Sequence, residues 1–260
     1  AELEAYLRRE RGISVASFLE PLIDIKTVAP LYVGPQLSPG EDIWGVQRPA
    51  VSHGSGSYSY DEIAHYPLAD AQAVGDLDAH RWSCPDWFDH TALPQCIAAI
   101  QGERQYCLIV ANGNIFETSW YMRGFEQMFL DMALAPEMVH EIMGRVTEYY
   151  VQYFTHVLSA VQGRIDLVFT ADDVAGQNGL LVSRQAWEEF IKPYHTRLNR
   201  AIHQFEGVKV IYHSDGAVMD IVDGFIDMGI DVLQGLQFSA RGMDPVALKQ
   251  RFGNQLCFEG

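Results

Sequence analysis

The sequence predicts an α/β fold built on a parallel sheet, and a TIM-type (β/α)8 barrel, incomplete in this chain, accounts for most of it. Three observations lead there. From about residue 105 onward, apolar runs of strand length alternate with segments whose apolar residues recur at helical spacing. The runs are apolar throughout, as expected of strands buried on both faces of a parallel sheet. Polar side chains gather at or just past their C-terminal ends: Asn112 and Asn114, Asp172 and Asp173, His213 and Asp215, Gln234 and Gln237, Glu259. A doubly wound sheet would show the same alternation, but no G-x-G-x-x-G follows any of these strands. In a barrel all the strand ends converge on one mouth, where such folds do their chemistry.

The elements follow in order. Residues 1–104 are irregular and rich in Pro, Gly and aromatic side chains; residues 105–260 carry the strand–helix repeats, and the whole is read as one domain. "AELEAYLRRE" starts inside an amphipathic helix and "QLCFEG" stops just after a strand, so the chain is expected to be an excerpt of a longer one. Tyr106–Asn112 is the first clear strand. "SWYMRGFEQMFLDMAL" then reads as a helix, with Trp120, Phe125, Met128, Phe129 and Met132 on one face. Pro136 opens the next helix at its first turn, and Val139, Ile142, Met143, Val146, Tyr149, Tyr150, Tyr153 and Phe154 form its apolar stripe. Arg164–Asp173 is a strand ending in two acids. Ser183 caps a helix that Pro193 should kink or break. Val208–Tyr212 is a strand, Val218–Met228 a helix, and Ile230–Gln237 a strand. Asp244-Pro245 opens a short helix that closes at Gly253, and "QLCFEG" is the last strand. About five barrel strands are legible, the rest lying beyond the chain's ends or inside the irregular first region.

Composition narrows the function. Hydrophobic residues make up 48% of 260, enough for a full core. A formal net charge of −16 argues against nucleic acid and against an anionic membrane surface as partners. Cys84, Cys96, Cys107 and Cys257 form no CxxC pair, and no signal-like start or run of membrane length is present, so a reduced, cytoplasmic protein is expected. Cys107 and Cys257 lie in apolar runs and read as buried small hydrophobes.

The chemistry-bearing residues allow more than one reading. Asp172 and Asp173 are neighbours on a strand end, so one of them should face the mouth and the other turn away. Such acids ligate metal, act as a base, bind cationic nitrogen, or cap a helix N-terminus. His213 and Asp215 are two apart and face one space if the extended backbone persists. They could be two metal ligands, a general acid with its orienting carboxylate, or turn residues before Gly216. Glu259 is a candidate third ligand. Asn112, Glu117, Tyr121 and Arg123 are candidates for ligand contact, with packing beside Trp120 as the other reading of Tyr121. Gln177 and Gln237 are read as substrate-binding. Asp42, beside Trp44 and Arg48 in a Gly/Pro-rich stretch, reads by composition as a turn acid. "SHGSGSYSY" (Ser52–Tyr60) reads as flexible, and lacks the Lys that a phosphate loop needs.

Over Pro35–Gly260 the sequence resembles the uroporphyrinogen decarboxylase superfamily, which includes cobalamin-dependent methyltransferases. The segments that carry the resemblance are "EDIWGV", "YPLADAQAV", "SWYMRGFEQMFLDMALAPE", "DDVAGQNGLLVSRQAWEEFIKPY", "YHSDGAV" and "GIDVLQGLQFSARGMDPVALKQRFG". It implies a (β/α)8 barrel with a deep polar cleft. In the decarboxylase branch it implies an Asp at Asp42 that grips pyrrole NH groups and a Tyr at Tyr121 beside a substrate carboxylate. A Ser of that branch falls where this chain has Asp173, a departure. That branch's paired arginines would precede residue 1, and its late His would follow residue 260. In the methyltransferase branch the His213-Ser214-Asp215 position carries a His-x-Cys zinc pair; His213 matches and Asp215 replaces the Cys.

The resemblance and the residues together lead to three expectations. The first is metal-assisted methyl transfer from a corrinoid carried by a partner protein to a thiol. Here His213, Asp215 and Glu259 would hold zinc or another divalent metal, with Asp173 and Tyr121 positioning substrate. The second is a decarboxylase acting on a tetrapyrrole, centred on Asp42. The scarcity of Lys and Arg at these strand ends, Arg48 and Arg123 apart, speaks against an octa-anionic substrate. The third is a non-catalytic ligand-binding barrel. The aromatic-rich surface between residues 30 and 90 permits a homodimer.

Overall fold

The apolar runs pair into one six-stranded parallel sheet. The computed structural model describes residues 2–52, 59–102 and 104–260, so most of the loop read as flexible lies outside it. In spatial order the strands are β1 (Ile25–Thr27), β2 (Cys107–Asn114), β3 (Leu167–Ala171), β4 (Lys209–His213), β5 (Val232–Gln234) and β6 (Cys257–Glu259). Sequence order and spatial order coincide, as in the winding of a TIM-type barrel, of which this sheet is an arc. β1 is the strand hidden in the irregular first region.

One face of the sheet packs on the helices. Leu108, Val110, Val168, Val210, Tyr212 and Leu233 belong to the continuous core. The alternate positions point to the opposite face, where Ile109 and Ile211 are buried as well. Cys107, the first residue of β2, is half-buried and Cys257, the first of β6, is exposed, which corrects their reading as core residues. An apolar run marks a buried strand without guaranteeing burial of the residue that opens it.

Helix α1 (Ile115–Arg123) and helix α2 (Phe125–Leu134) divide the segment expected as one helix. Gly124 sits between them at φ +99°, a conformation that a residue with a side chain rarely adopts. Helix α3 (Pro136–Val161) opens on its proline and buries all eight members of the expected stripe. Ser183 accepts a hydrogen bond from the Ala186 amide and starts α4 (Arg184–Phe190). The chain breaks at Ile191, and Pro193 lies in the first turn of α5 (Lys192–Ile202). A short 3-10 turn leads into α6 (Val222–Asp227). Asp244 caps α7 (Pro245–Phe252), its Oδ1 2.7 Å from the Ala247 amide. Among the described residues no helix is long and apolar enough to cross a membrane.

Candidate active site

Register alone aligns the strand ends. Asn114, Ala171, His213, Gln234 and Glu259 are successive cross-strand partners from β2 to β6, so they form one row at the C-terminal rim. β2 carries a bulge between Val110 and Gly113, with Asn112 at φ +84°. Asn tolerates that region better than most residues, and the bulge turns Asn112 out of the ladder.

The two acids after β3 divide as strand alternation requires. Asp172 is fully buried and turns to the helix side. It accepts hydrogen bonds from the Phe116 and Glu117 amides at 2.8 and 2.7 Å, capping the start of α1, and from His195 Nε2 at 2.5 Å. Asp173 turns to the mouth, where its Oδ1 accepts the Asp215 amide at 2.7 Å. One acid thus faces the mouth and the other turns away, as expected, and the capping reading falls to Asp172.

His213 stands at the end of β4, partly buried and stacked on Phe169 at 6.1 Å. Gln234 Oε1 lies 2.6 Å from its Nδ1 and accepts that proton, which leaves the Nε2 lone pair free. Nε2 is 3.8 Å from Asp173 Oδ1 and 3.8 Å from Asp215 Oδ1. One ligand atom from each of these three residues lies within 4.8 Å of the others. The backbone leaves no slack behind them: a Cβ on Gly235, which has φ +89°, would come within 2.9 Å of the His213 ring and 3.0 Å of Asp215 Oδ1. An imidazole nitrogen free to donate, two carboxylates and a rigid floor suit a divalent cation with nitrogen and oxygen ligands. Glu259, exposed at the far end of the row with Gln234 between it and His213, stands outside this group; the third partner is Asp173.

Glu117 occupies the wall next to this cluster. Asn114 Nδ2 donates to its Oε2 at 2.6 Å. Burial, followed by the negative charge of Asp172, pushes its carboxyl up to about 7, against a lowering by the Asn114 hydrogen bond. Burial, with Glu117 next, also pushes the Tyr121 phenol upward.

On the other side of Asn114 and Glu117 lies a cavity of about 420 Å³. Asp42, Arg48, Asn112, Asn114, Thr118 and Tyr121 line it, together with Trp44, Phe88 and the α3 tyrosines Tyr149, Tyr150 and Tyr153. Asp42 is ion-paired with Arg48 and accepts the Trp44 and Val46 amides at 2.8 and 3.1 Å. It therefore holds its own turn together, as its composition suggested, while facing the cavity. Tyr121 packs edge-on against Trp120 at 4.2 Å, as its packing reading has it, and carries Arg48 over its ring at 4.7 Å where it lines the cavity.

The remaining candidates are placed as follows. Gln177 Nε2 donates to Gln237 Oε1 at 2.7 Å; the pair is solvent-exposed and bridges the loops after β3 and β5. Arg123 is not a ligand contact. It is buried, pairs with Asp131 at 2.7 Å, and donates to the carbonyls of Leu68, Ala69 and Ala71. A guanidinium enclosed in this way is spent on joining the irregular N-terminal region to α1. Sequence reasoning passed over His195 and Gln234 as functional supports. His195 lies in register with Ile191, Leu198 and Ile202 on a buried helix face, and an imidazole on an apolar stripe was the available signal.

Comparison with known proteins agrees with this architecture. The family model for uroporphyrinogen decarboxylase (URO-D) matches residues 58–257. No curated protein matches the chain. Among solved structures, a methyltransferase from Methanosarcina mazei superposes with a TM-score of 0.64 at 14% identity, covering 100% of this chain and 68% of that one. The fold is thus shared with a methyltransferase, and, with a match that spans well over half its length, the chain belongs to the uroporphyrinogen decarboxylase family.

Proposed function

We propose that this chain is a metal-assisted methyltransferase, taking a methyl group from a corrinoid on a partner protein and giving it to a thiol. The observation that supports this reading is the convergence of Asp173, His213 and Asp215, with Gln234 setting the His213 tautomer. A divalent cation held by those three residues would lower the pKa of a nearby thiol into the neutral range. Asp215, standing where the resembling branch has a Cys, makes the ligand set harder than a zinc–thiolate centre. Glu117, with a carboxyl near 7, is suited to accept the thiol proton, and its burial keeps that proton from bulk water. The sulfur then takes the methyl group while the electron pair of the broken carbon–cobalt bond stays with the corrinoid. The methyltransferase likeness carries the fold; the three ligand-type side chains carry the chemistry.

The decarboxylase reading needs Asp42 to grip ring nitrogens. That carboxylate is already engaged by Arg48 and two amides, which favours the first reading. The test is metal analysis of the full protein together with a methyl-corrinoid turnover assay. About one equivalent of divalent metal, lost in His213→Ala with the fold retained, is expected. Metal-free protein that decarboxylates uroporphyrinogen would overturn the proposal.

A further inference from the structure

The cavity beside the acidic cluster has a composition that methyl transfer as such does not explain. Its α3 wall presents Tyr149 and Tyr153 with their rings nearly parallel, 5.9 Å apart at 14°. Trp44 meets Tyr149 edge-on at 4.8 Å, and Phe88 meets Tyr153 edge-on at 5.1 Å. The result is a box of aromatic surfaces with two orientations roughly at right angles. The Tyr149 and Tyr153 side chains are largely buried and both line the cavity, and their hydroxyls have no hydrogen-bond partner among the described residues and are not sealed from solvent.

Size and charge narrow what fits. About 420 Å³ is at the lower end of the usual range for small-molecule sites, roughly 300–1,000 Å³. It holds one or two rings and is too small for a tetrapyrrole bearing eight carboxylates. The lining contains one cation and one anion, Arg48 and Asp42, and these pair with each other. A quaternary ammonium would find aromatic faces here but no uncompensated carboxylate. Asp42 is filled by Arg48 Nη1 and two amides, whereas Arg48 Nε and Nη2 make no hydrogen bond with the described residues, so a flat anion or neutral arene finds aromatic faces, phenolic groups and unused guanidinium donors.

We propose that this cavity binds a planar aromatic molecule of one or two rings, with a carboxylate or hydroxyl substituent directed at Arg48. Asn114 is the link to the chemistry, since it lines the cavity and holds Glu117 beside the Asp173–His213–Asp215 cluster. That the arene is the small-molecule partner of the transfer rests on the function proposed above; that it binds does not.

The experiment is a binding titration on the full protein, followed by Trp fluorescence and calorimetry. The probes are benzoate, 4-hydroxybenzoate, cyclohexanecarboxylate and tetramethylammonium, each with and without chelator. Benzoate-type probes are expected to bind about three- to tenfold more tightly than cyclohexanecarboxylate, the worth of ring–ring contact beyond area. Tyr153→Leu should remove that preference. Arg48→Lys should weaken benzoate and 4-hydroxybenzoate while leaving their preference over cyclohexanecarboxylate in place. Equal binding of cyclohexanecarboxylate, tighter binding of tetramethylammonium, or no arene binding at millimolar concentration each overturns the proposal. Arene binding in a protein that takes up no divalent metal when metal is supplied sinks the functional reading and leaves this one standing. Metal binding without arene binding does the reverse.

Discussion

Replacing Arg123 separates a structural role from a ligand-binding one. Its side chain and that of Asp131 are each 5% exposed, and the pair is closed by a 2.7 Å contact. In Arg123→Met, Asp131 keeps the Gln127 amide at 2.7 Å and loses its counter-charge. Breaking a buried pair on one side costs about 3–5 kcal/mol. The carbonyls of Leu68, Ala69 and Ala71 also lose their donor, and each carbonyl kept from water adds about 1–3 kcal/mol. Local relaxation will return some of this, so about 4 kcal/mol is the expected net loss. In a domain of this size that lowers the melting temperature by about 8–16 °C. Arg123→Met combined with Asp131→Leu removes the orphaned charge and should recover much of the loss. Urea unfolding of the full protein, followed by circular dichroism, measures both. A loss under about 1 kcal/mol for Arg123→Met, with substrate affinity reduced, would show that the guanidinium serves a ligand and that the structural reading is wrong.

Two further outcomes follow from the site. Glu117 has its folded-state pKa raised from 4.5 to about 7, so ionisation opposes folding. The effect is absent below about pH 4.5, grows between 4.5 and 7, and is constant above 7, where it amounts to about 3 kcal/mol. Glu117→Gln in the presence of chelator should therefore match wild type at pH 4.5 and exceed it in urea midpoint at pH 8; parallel pH curves would remove the argument. Gly235→Ala places a methyl group against His213 and Asp215 at a positive φ. It should cost about 1–2 kcal/mol of stability and about 10–100-fold in metal affinity. Wild-type affinity by competition with a chromogenic chelator would mean that the backbone there does not set the ligand geometry.

The strand–helix order was legible because the apolar runs are long and unbroken, and the caps at Ser183 and Asp244 were legible because capping is local chemistry. What sequence could not show was non-local. Arg123 stands where a charged residue after a strand end reads as functional, and its partners are a helix across the Gly124 break and three carbonyls over fifty residues earlier. Cys257 sits in an apolar run, yet it opens β6 at the edge of the six-stranded sheet and is exposed there, a placement that the run itself does not reveal. Tyr149, Tyr150 and Tyr153 fit an apolar stripe perfectly well; that they also wall a cavity depends on where Trp44 and Phe88 fold back to meet them.

The Asp172–Asp173 pair shows how far local geometry can be carried. Alternation requires one acid on each face of the strand, and it is silent on which. The decision comes from α5, which brings His195 to the helix side, and from α1, whose first amides need an acceptor there. Those three donors make the buried position tolerable for Asp172. Asp173 is left on the mouth side, where it accepts the Asp215 amide. The same contact draws Asp215 toward Asp173 and so fixes the spacing of two of the three ligand-type groups around His213. A carboxylate buried for structural reasons thus positions its neighbour for chemistry, and neither acid could exchange roles without turning the end of β3 over.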